Sequence, residues 1–211
     1  MTPEIFYLVG ALRDGCLTTD WTVKYKQKNR DWLSNVILPM INRNFKLGLT
    51  EKCIYLQEEK TTVWYIAFKK KDVWKKLSYL RTVSPRTQEQ QKLYIRGFWD
   101  ADGGCPKNPS EDRKIYIKFT QKDRQSLEEI KETLNRTFQI KTGVVRISEI
   151  GKNGPIWRFT ITSKDGITKF CRKIGSFHPE KKNRLTKIEG LLLARQRERA
   201  AGSPPLFTNK H

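Results

Sequence analysis

Residues 94–104 read YIRGFWDADGG, from Tyr94 through Gly97 and Asp100 to Asp102, Gly103 and Gly104. An apolar run with a small residue inside it ends on an acid followed by glycine, a natural helix stop. Residues 6–16, FYLVGALRDGC, repeat the form, with Gly10 inside and Asp14-Gly15 at the end. Here Thr2 is the expected N-cap, Pro3 the first helical residue and Asp14 the last. A carboxylate in the last helical turn faces the negative end of the helix dipole, at a cost of about 0.3–1 kcal/mol. The chain accepts that cost twice. Small residues in both runs (Gly10 and Ala11; Gly97 and Ala101) would let two helix backbones approach and bring Asp14 and Asp102 to one place.

The repetition extends outward from these helices. Gln27-Lys28-Asn29-Arg30 recurs as Gln121-Lys122-Asp123-Arg124, and Ile41-Asn42-Arg43-Asn44-Phe45 as Leu134-Asn135-Arg136-Thr137-Phe138. Trp64, Phe68 and Lys71-Asp72 answer to Trp157, Ile161 and Lys164-Asp165, and one deletion aligns the whole series. Two copies follow, residues 1–80 and 92–203, joined by a polar linker at 81–91; residues 204–211, from Pro204-Pro205, are expected to be a disordered tail. The second copy carries a longer loop, Cys105 to Asp112.

Each copy reads as helix, alternating strand, helix (30–45; 124–138), two-stranded hairpin and closing helix. Thr22, Lys24 and Lys26 fall on one strand face, with Trp21, Val23 and Tyr25 on the other. Lys114, Tyr116, Lys118 and Thr120 likewise oppose Ile115, Ile117 and Phe119. In the second hairpin Val145, Ile147, Trp157, Phe159 and Ile161 face one side and Arg146, Ser148, Arg158 and Thr160 the other, around the turn Gly151-Lys152-Asn153-Gly154. Half-exposed antiparallel strands need one covered face, which the helices supply. The expected class is α+β, two pseudo-symmetric αββαββα repeats.

Composition narrows the function. Across 211 residues, 42 Lys+Arg against 22 Asp+Glu leave a formal charge of +20, so a polyanion is the first partner to test. With 6 Trp, 7 Tyr and 10 Phe the chain is too aromatic to be a disordered basic tail. Its apolar runs are too short to cross a bilayer or to act as a signal peptide, so a soluble intracellular protein is expected, cytoplasmic in a prokaryote and otherwise organellar. Cys16, Cys53, Cys105 and Cys171 are widely spaced without a CxxC, as reduced packing residues would be. Only His178 and His211 are histidines, and no phosphate-cradling GxxxxGK[ST] or GxGxxG occurs. Paired carboxylates with helix-end carbonyls form a hard oxygen site suited to Mg²⁺, which can activate water and stabilise the leaving oxygen of a phosphodiester. The residues themselves suggest a metal-dependent nuclease with duplicated halves.

At this point Tyr94–Gly104 resembles the LAGLIDADG motif, with Gly97, Asp100, Ala101, Asp102 and Gly103 at matching places, and Phe6–Cys16 resembles a shorter version. Aligning the Asp-Gly ends places Val9 where the glycine usually sits. The resemblance runs from Ile5 to about Leu193. It implies a monomeric two-repeat LAGLIDADG homing endonuclease, intron- or intein-associated, whose two four-stranded sheets form a saddle along the DNA major groove, with the helices on the back. It would make a double-strand break with 3′ overhangs. It further implies metal ligation by Asp14 and Asp102 with the carbonyls of Arg13 and Ala101, and assistance to the metal-bound water from Gln27 and Gln121. Mg²⁺ is the implied cofactor, Mn²⁺ or Ca²⁺ substituting for binding. Lys181 matches a basic residue at the start of the last helix, with Lys182 as rival; in copy one Arg86 is the nearby candidate, so the two strands are expected to be cut at unequal rates.

Thr22, Lys24, Lys26, Lys28, Tyr55, Gln57 and Tyr65 in copy one, with Lys114, Tyr116, Lys118, Thr120, Arg146, Ser148 and Arg158 in copy two, are the expected DNA contacts. Asp100 is expected to pair with a basic side chain outside the active site, and His178 to be a turn or DNA-contact residue. The expected partner is duplex DNA, with no membrane and no obligate protein partner. An intron RNA maturase or a non-cutting DNA-binding protein on the same scaffold is the alternative, and retention of both acids favours the nuclease.

Overall fold

The computed structural model describes residues 2–13, 15–58, 62–112, 114–151 and 154–201. Alternation in Thr22–Gln27 makes strand β2, with Val23 and Tyr25 fully buried and Lys24 and Lys26 on the other face. Around it runs the order α1 (Glu4–Ala11), β1 (Cys16–Leu17), β2, α2 (Arg30–Trp32), a π-helical turn (Leu33–Ile37), α3 (Leu38–Phe45), β3 (Ile54–Glu58), β4 (Thr62–Lys69) and α4 (Lys71–Leu80). Then come α5 (Gln88–Asp102), β5 (Ile117–Gln121), α6 (Arg124–Arg136), β6 (Arg146–Gly151), β7 (Gly154–Ile161), α7 (Lys164–Lys169) with a second π turn (Phe170–Ile174), and α8 (Pro179–Ala201). The first π turn precedes Pro39, which has no N–H to donate; the helix widens so that Leu38 N–H donates to Leu33 O.

One sheet has four antiparallel strands in the order β1-β2-β4-β3, the other three in the order β5-β7-β6. The resemblance implied four in each. Where β1 pairs Cys16 with Lys24 and Leu17 with Val23, the second copy keeps a single bridge between Gly104 and Lys118. Pro106 follows, and a ladder cannot continue through a residue without an N–H. Lys114 and Tyr116, read as strand, precede β5, which starts at Ile117. Trp21 has φ 67° in the turn before β2, edge-on to Trp74 at 5.0 Å, rather than on the strand's apolar face. The ladder shifts register between Ile147 and Glu149, and Ile147 is exposed, contrary to the alternation.

The two helices that end on the acids form the seam. A Cβ on Gly97 would lie 2.1 Å from Tyr7 O, and one on Gly10 would lie 2.2 Å from Tyr94 O and 2.7 Å from Phe98 N. The contacts are reciprocal, so Gly10 and Gly97 are mates across the pseudo-two-fold axis, and Tyr7 is the mate of Tyr94. The Asp-Gly alignment, which put Val9 opposite Gly97, is one residue out for the helices. Helix α1 ends at Ala11 with Leu12 as its cap, short of the expected Asp14, while α5 extends to Asp102. Pro3, not Thr2, is the N-cap residue; the Thr2 hydroxyl donates to Asn44 Oδ1.

Two apolar clusters flank the seam, one around Tyr25, Trp32 and Ile66, the other around Phe119, Phe159 and Phe170. Between them lies a buried polar network. Asp100 accepts from the Tyr7 hydroxyl (2.6 Å), the Ser176 hydroxyl (2.5 Å) and the backbone N–H groups of Phe177 (2.9 Å) and His178 (3.2 Å). Trp32 Nε1 donates to the Tyr7 oxygen at 2.8 Å. Burial raises the Asp100 pKa, and the Ser176 and Tyr7 hydrogen bonds oppose that rise. The acid expected to pair with a base therefore ties the 176–178 strap to α5.

His178 is buried against the Trp32 ring at 5.8 Å rather than facing DNA. Burial, then the Lys181 charge, lowers its pKa from 6.5 to about 4. Between those values the unfolded chain binds a proton that the folded chain does not, so stability is complete above pH 6.5 and is lost as pH falls toward 4. The expected loss is about 3 kcal/mol. Urea unfolding at pH 7 and pH 4.5 should show His178→Phe losing less stability than the parent; equal losses would show that His178 does not carry this dependence.

Candidate active site

Four elements converge on the C-terminal end of α5. Gln27 ends β2 and Gln121 ends β5, each followed by a helix capped by Asn29 or Asp123. Each glutamine accepts from the next backbone N–H, Lys28 or Lys122, at 2.8 Å. That turns both amide nitrogens the same way. Gln27 Nε2 donates to Ala101 O at 3.2 Å, and Gln121 Nε2 to Asp102 Oδ2 at 2.9 Å. From the start of α8 Lys181 Nζ donates to the carbonyls of Trp99 (2.8 Å), Asp100 (2.8 Å) and Gly103 (2.7 Å). A cation there offsets the negative helix end and satisfies carbonyls that lack intrahelical partners.

Asp14 lies outside the described residues. The Arg13 side chain turns back from that end, donating to Tyr94 Oη at 2.9 Å and pairing with Asp123 at 3.5 Å. Arg86 stands at the N-terminal end of α5, its N–H on Gln90 Oε1; a helix of 15 residues separates that end from Asp102 by about 22 Å. The cation beside α1 is instead Arg81, at the end of α4. Burial, then the charge of Arg13, holds its pKa below the ordinary value.

Among the described residues no three His, Cys, Asp or Glu side chains cluster as a metal site. The donors present at the end of α5, the Asp102 carboxylate and the Ala101 carbonyl with its second lone pair, are hard oxygens of the kind a hydrated divalent cation takes. These residues fit such an ion.

On the outward sheet faces, Lys24 lies over the Tyr65 ring at 3.8 Å, and Tyr55 stacks on Tyr65 at 5.5 Å. Tyr65, expected as a direct contact, is thereby covered, and Tyr55 and Lys24 are presented instead. Lys26 and Lys28 are exposed and Thr22 and Gln57 partly so. In the second sheet Lys118, Thr120 and Arg158 share the outward face, with Thr120 paired to Arg158 and Arg146 to Arg158 across the ladders. Lys114 and Arg146 are exposed, and Tyr116 and Ser148 partly so. Arg30 over Trp64 (5.5 Å) and Arg124 over Trp157 (4.8 Å) are pseudo-symmetric mates that the strand reading passed over. Their signal was the repeat itself, since both partners recur together.

Two antiparallel sheets whose strand ends meet at a close-packed pair of Gly-containing, acid-terminated helices define the LAGLIDADG class. Residues 89–175 match the LAGLIDADG-like domain. The chain is 26% identical over 206 residues to the homing endonuclease I-ApeI of Aeropyrum pernix, covering 88% of this chain and 87% of that one. Its fold is similar to that of I-DmoI in complex with DNA and Ca, with TM-score 0.66 and 15% identity over 88% of this chain and 97% of that one. I-DmoI is also known in complex with DNA and Mn, and with its target DNA in the presence of Mg. Full-length DUF199/WhiA from Thermatoga maritima is similar with TM-score 0.67 and 16% identity over 92% of this chain and 60% of that one. The chain belongs to the LAGLIDADG family and has the fold of its homing endonucleases.

Among the described residues no helix is long and apolar enough to cross a membrane. The four cysteines are free.

Proposed function

We propose that this protein is a monomeric, site-specific homing endonuclease that makes a divalent-metal-dependent double-strand break in duplex DNA and leaves 3′ overhangs. The convergence of Asp102, both glutamine amides and Lys181 on one helix end, between two sheets with basic outward faces, carries this reading. The WhiA-like fold shows that the scaffold alone does not decide between cutting and binding. The acid and amides at the strand ends favour cutting.

In this reading Asp14 and Asp102, with the carbonyls of Arg13 and Ala101, hold the metal. A bound Mg²⁺ would supply a Lewis acid for the phosphodiester and a more acidic water. Gln121 fixes the Asp102 carboxylate, Gln27 fixes the helix-end carbonyl, and Lys181 places positive charge where the phosphate gathers negative charge. The lysine and arginine faces hold phosphates and read base edges. Because Lys181 has no lysine mate beside α1, Lys181→Met is expected to slow one strand's nick about 100-fold and the other much less. Strand-specific end-labelling checks this, and equal slowing of both strands would refute the asymmetry.

The direct test is incubation with a plasmid carrying the rejoined flanks of the protein's own insertion site, with Mg²⁺ and with EDTA. Linear product with Mg²⁺ alone supports the reading. Tight binding without cutting would overturn it in favour of a binding protein, and preference for intron RNA over the duplex would favour a maturase.

A further inference from the structure

The pseudo-two-fold axis gives the strap-and-helix packing on one side of the α1–α5 seam a counterpart on the other. On one side Trp32, Phe177 and His178 fill the space beside Tyr7, whose hydroxyl donates to Asp100. On the other, Trp32, Phe177 and His178 give way to Ser126, Val83 and Ser84, and Tyr7 to Tyr94. The missing rings leave a cavity of about 510 Å³ lined by those four residues together with Arg13 and Arg81. A space of that size is typical of small-molecule sites.

Its charge is inverted relative to the filled side. By the Gly10–Gly97 register Arg13 stands where Asp100 stands, and its Nη2 donates to Tyr94 Oη at 2.9 Å, mirroring Asp100 and Tyr7. By the alignment of Pro85 with Pro179, Arg81 stands where Gly175 does. The Arg13 side chain is 14% exposed, and its buried Nε has no hydrogen-bond partner. Asp123 holds Nη1 at 3.5 Å, and Glu129 and Glu132 of α6 line the wall as well.

We propose that this cavity binds a small aromatic anion of the size and charge of a nucleoside monophosphate. Its ring takes the space that Trp32 and His178 fill on the other side, its acid group lies against Arg13 and Arg81, and N–H donors on the ring meet Glu129 and Glu132. Arg–phosphate pairing and a flat ring between apolar walls are the chemistry such a ligand uses. The site is independent of the cleavage reading.

The test uses the full chain without DNA. AMP, adenosine and inorganic phosphate are each titrated by calorimetry, with saturation-transfer NMR reporting contact to the ring. AMP is expected to bind at least tenfold more tightly than either fragment. Arg81→Gln should weaken AMP at least tenfold while leaving adenosine unchanged. Ser126→Trp, which rebuilds the missing ring, should abolish AMP contact in a protein of unchanged circular dichroism, and Ser84→His gives a second plug should that variant not fold. AMP binding no tighter than phosphate, or AMP contact that survives whichever plugged variants fold, would overturn the proposal by placing the anion on the basic sheet faces.

Discussion

Asp102→Asn is expected to lower double-strand cleavage by about 10³-fold while DNA binding is kept or strengthened. Asparagine retains the shape and one oxygen to accept from Gln121 Nε2, now at 2.9 Å from the Asp102 carboxylate, so the helix end need not rearrange. What it removes is the charge that would hold a divalent cation in a protein of formal charge +20. The same neutralisation lessens repulsion of the phosphates, so binding should move in the opposite direction from cleavage. Linearisation and gel-shift assays on one preparation separate the two effects. Cleavage within tenfold of the parent would remove Asp102 from the chemistry and, with it, the site proposed at the end of α5.

Gly97→Ala is expected to destabilise the fold by about 3 kcal/mol, and Gly97→Val by more. The added Cβ would sit 2.1 Å from Tyr7 O and 3.1 Å from Ala11 N, both backbone atoms of α1, so no side-chain rotation relieves it. The helices must separate, and Asp100 with its Tyr7 partner is drawn apart with them. Gly190→Ala in α8 is the matched control: nothing lies within 4 Å of its Cβ position, and replacing an interior helical glycine should stabilise by up to about 1 kcal/mol. Urea unfolding of both variants should therefore give shifts of opposite sign. A Gly97→Ala midpoint equal to the parent's would mean that the seam is not held at this distance.

Local patterns survive translation from sequence to structure because neighbours along the chain set them. The period of two in Thr22–Gln27 and Ile117–Gln121 determines which face is buried whatever the strand pairs with, and Val23, Tyr25, Ile117 and Phe119 are all inside. The repeat Gln-Lys-Asn-Arg and Gln-Lys-Asp-Arg likewise marked two strand ends followed by capped helices, because an Asn or Asp accepting from the first turn is a local device. The basic excess and its polyanionic partner class needed no fold at all.

Contacts across the seam were a different matter. The Asp-Gly ends align by sequence, but backbone approach is decided by the glycines, and α1 stops a turn earlier than α5 does. Arg86 looked near the first acid because the copies align there, yet the linker runs to the far end of α5 and leaves Arg81 beside Arg13. The missing edge strand of the second sheet follows from where the chain goes after Pro106. Composition, repeat, strand phase and fold class were thus determined by the sequence alone. Helix register, the burial of Asp100 under the 176–178 strap, the carbonyl cap by Lys181 and the cavity at the mate of the Trp32–His178 stack were decided by tertiary structure. These depend on residues dozens of positions apart meeting at a few ångströms, and such distances follow from packing the whole chain.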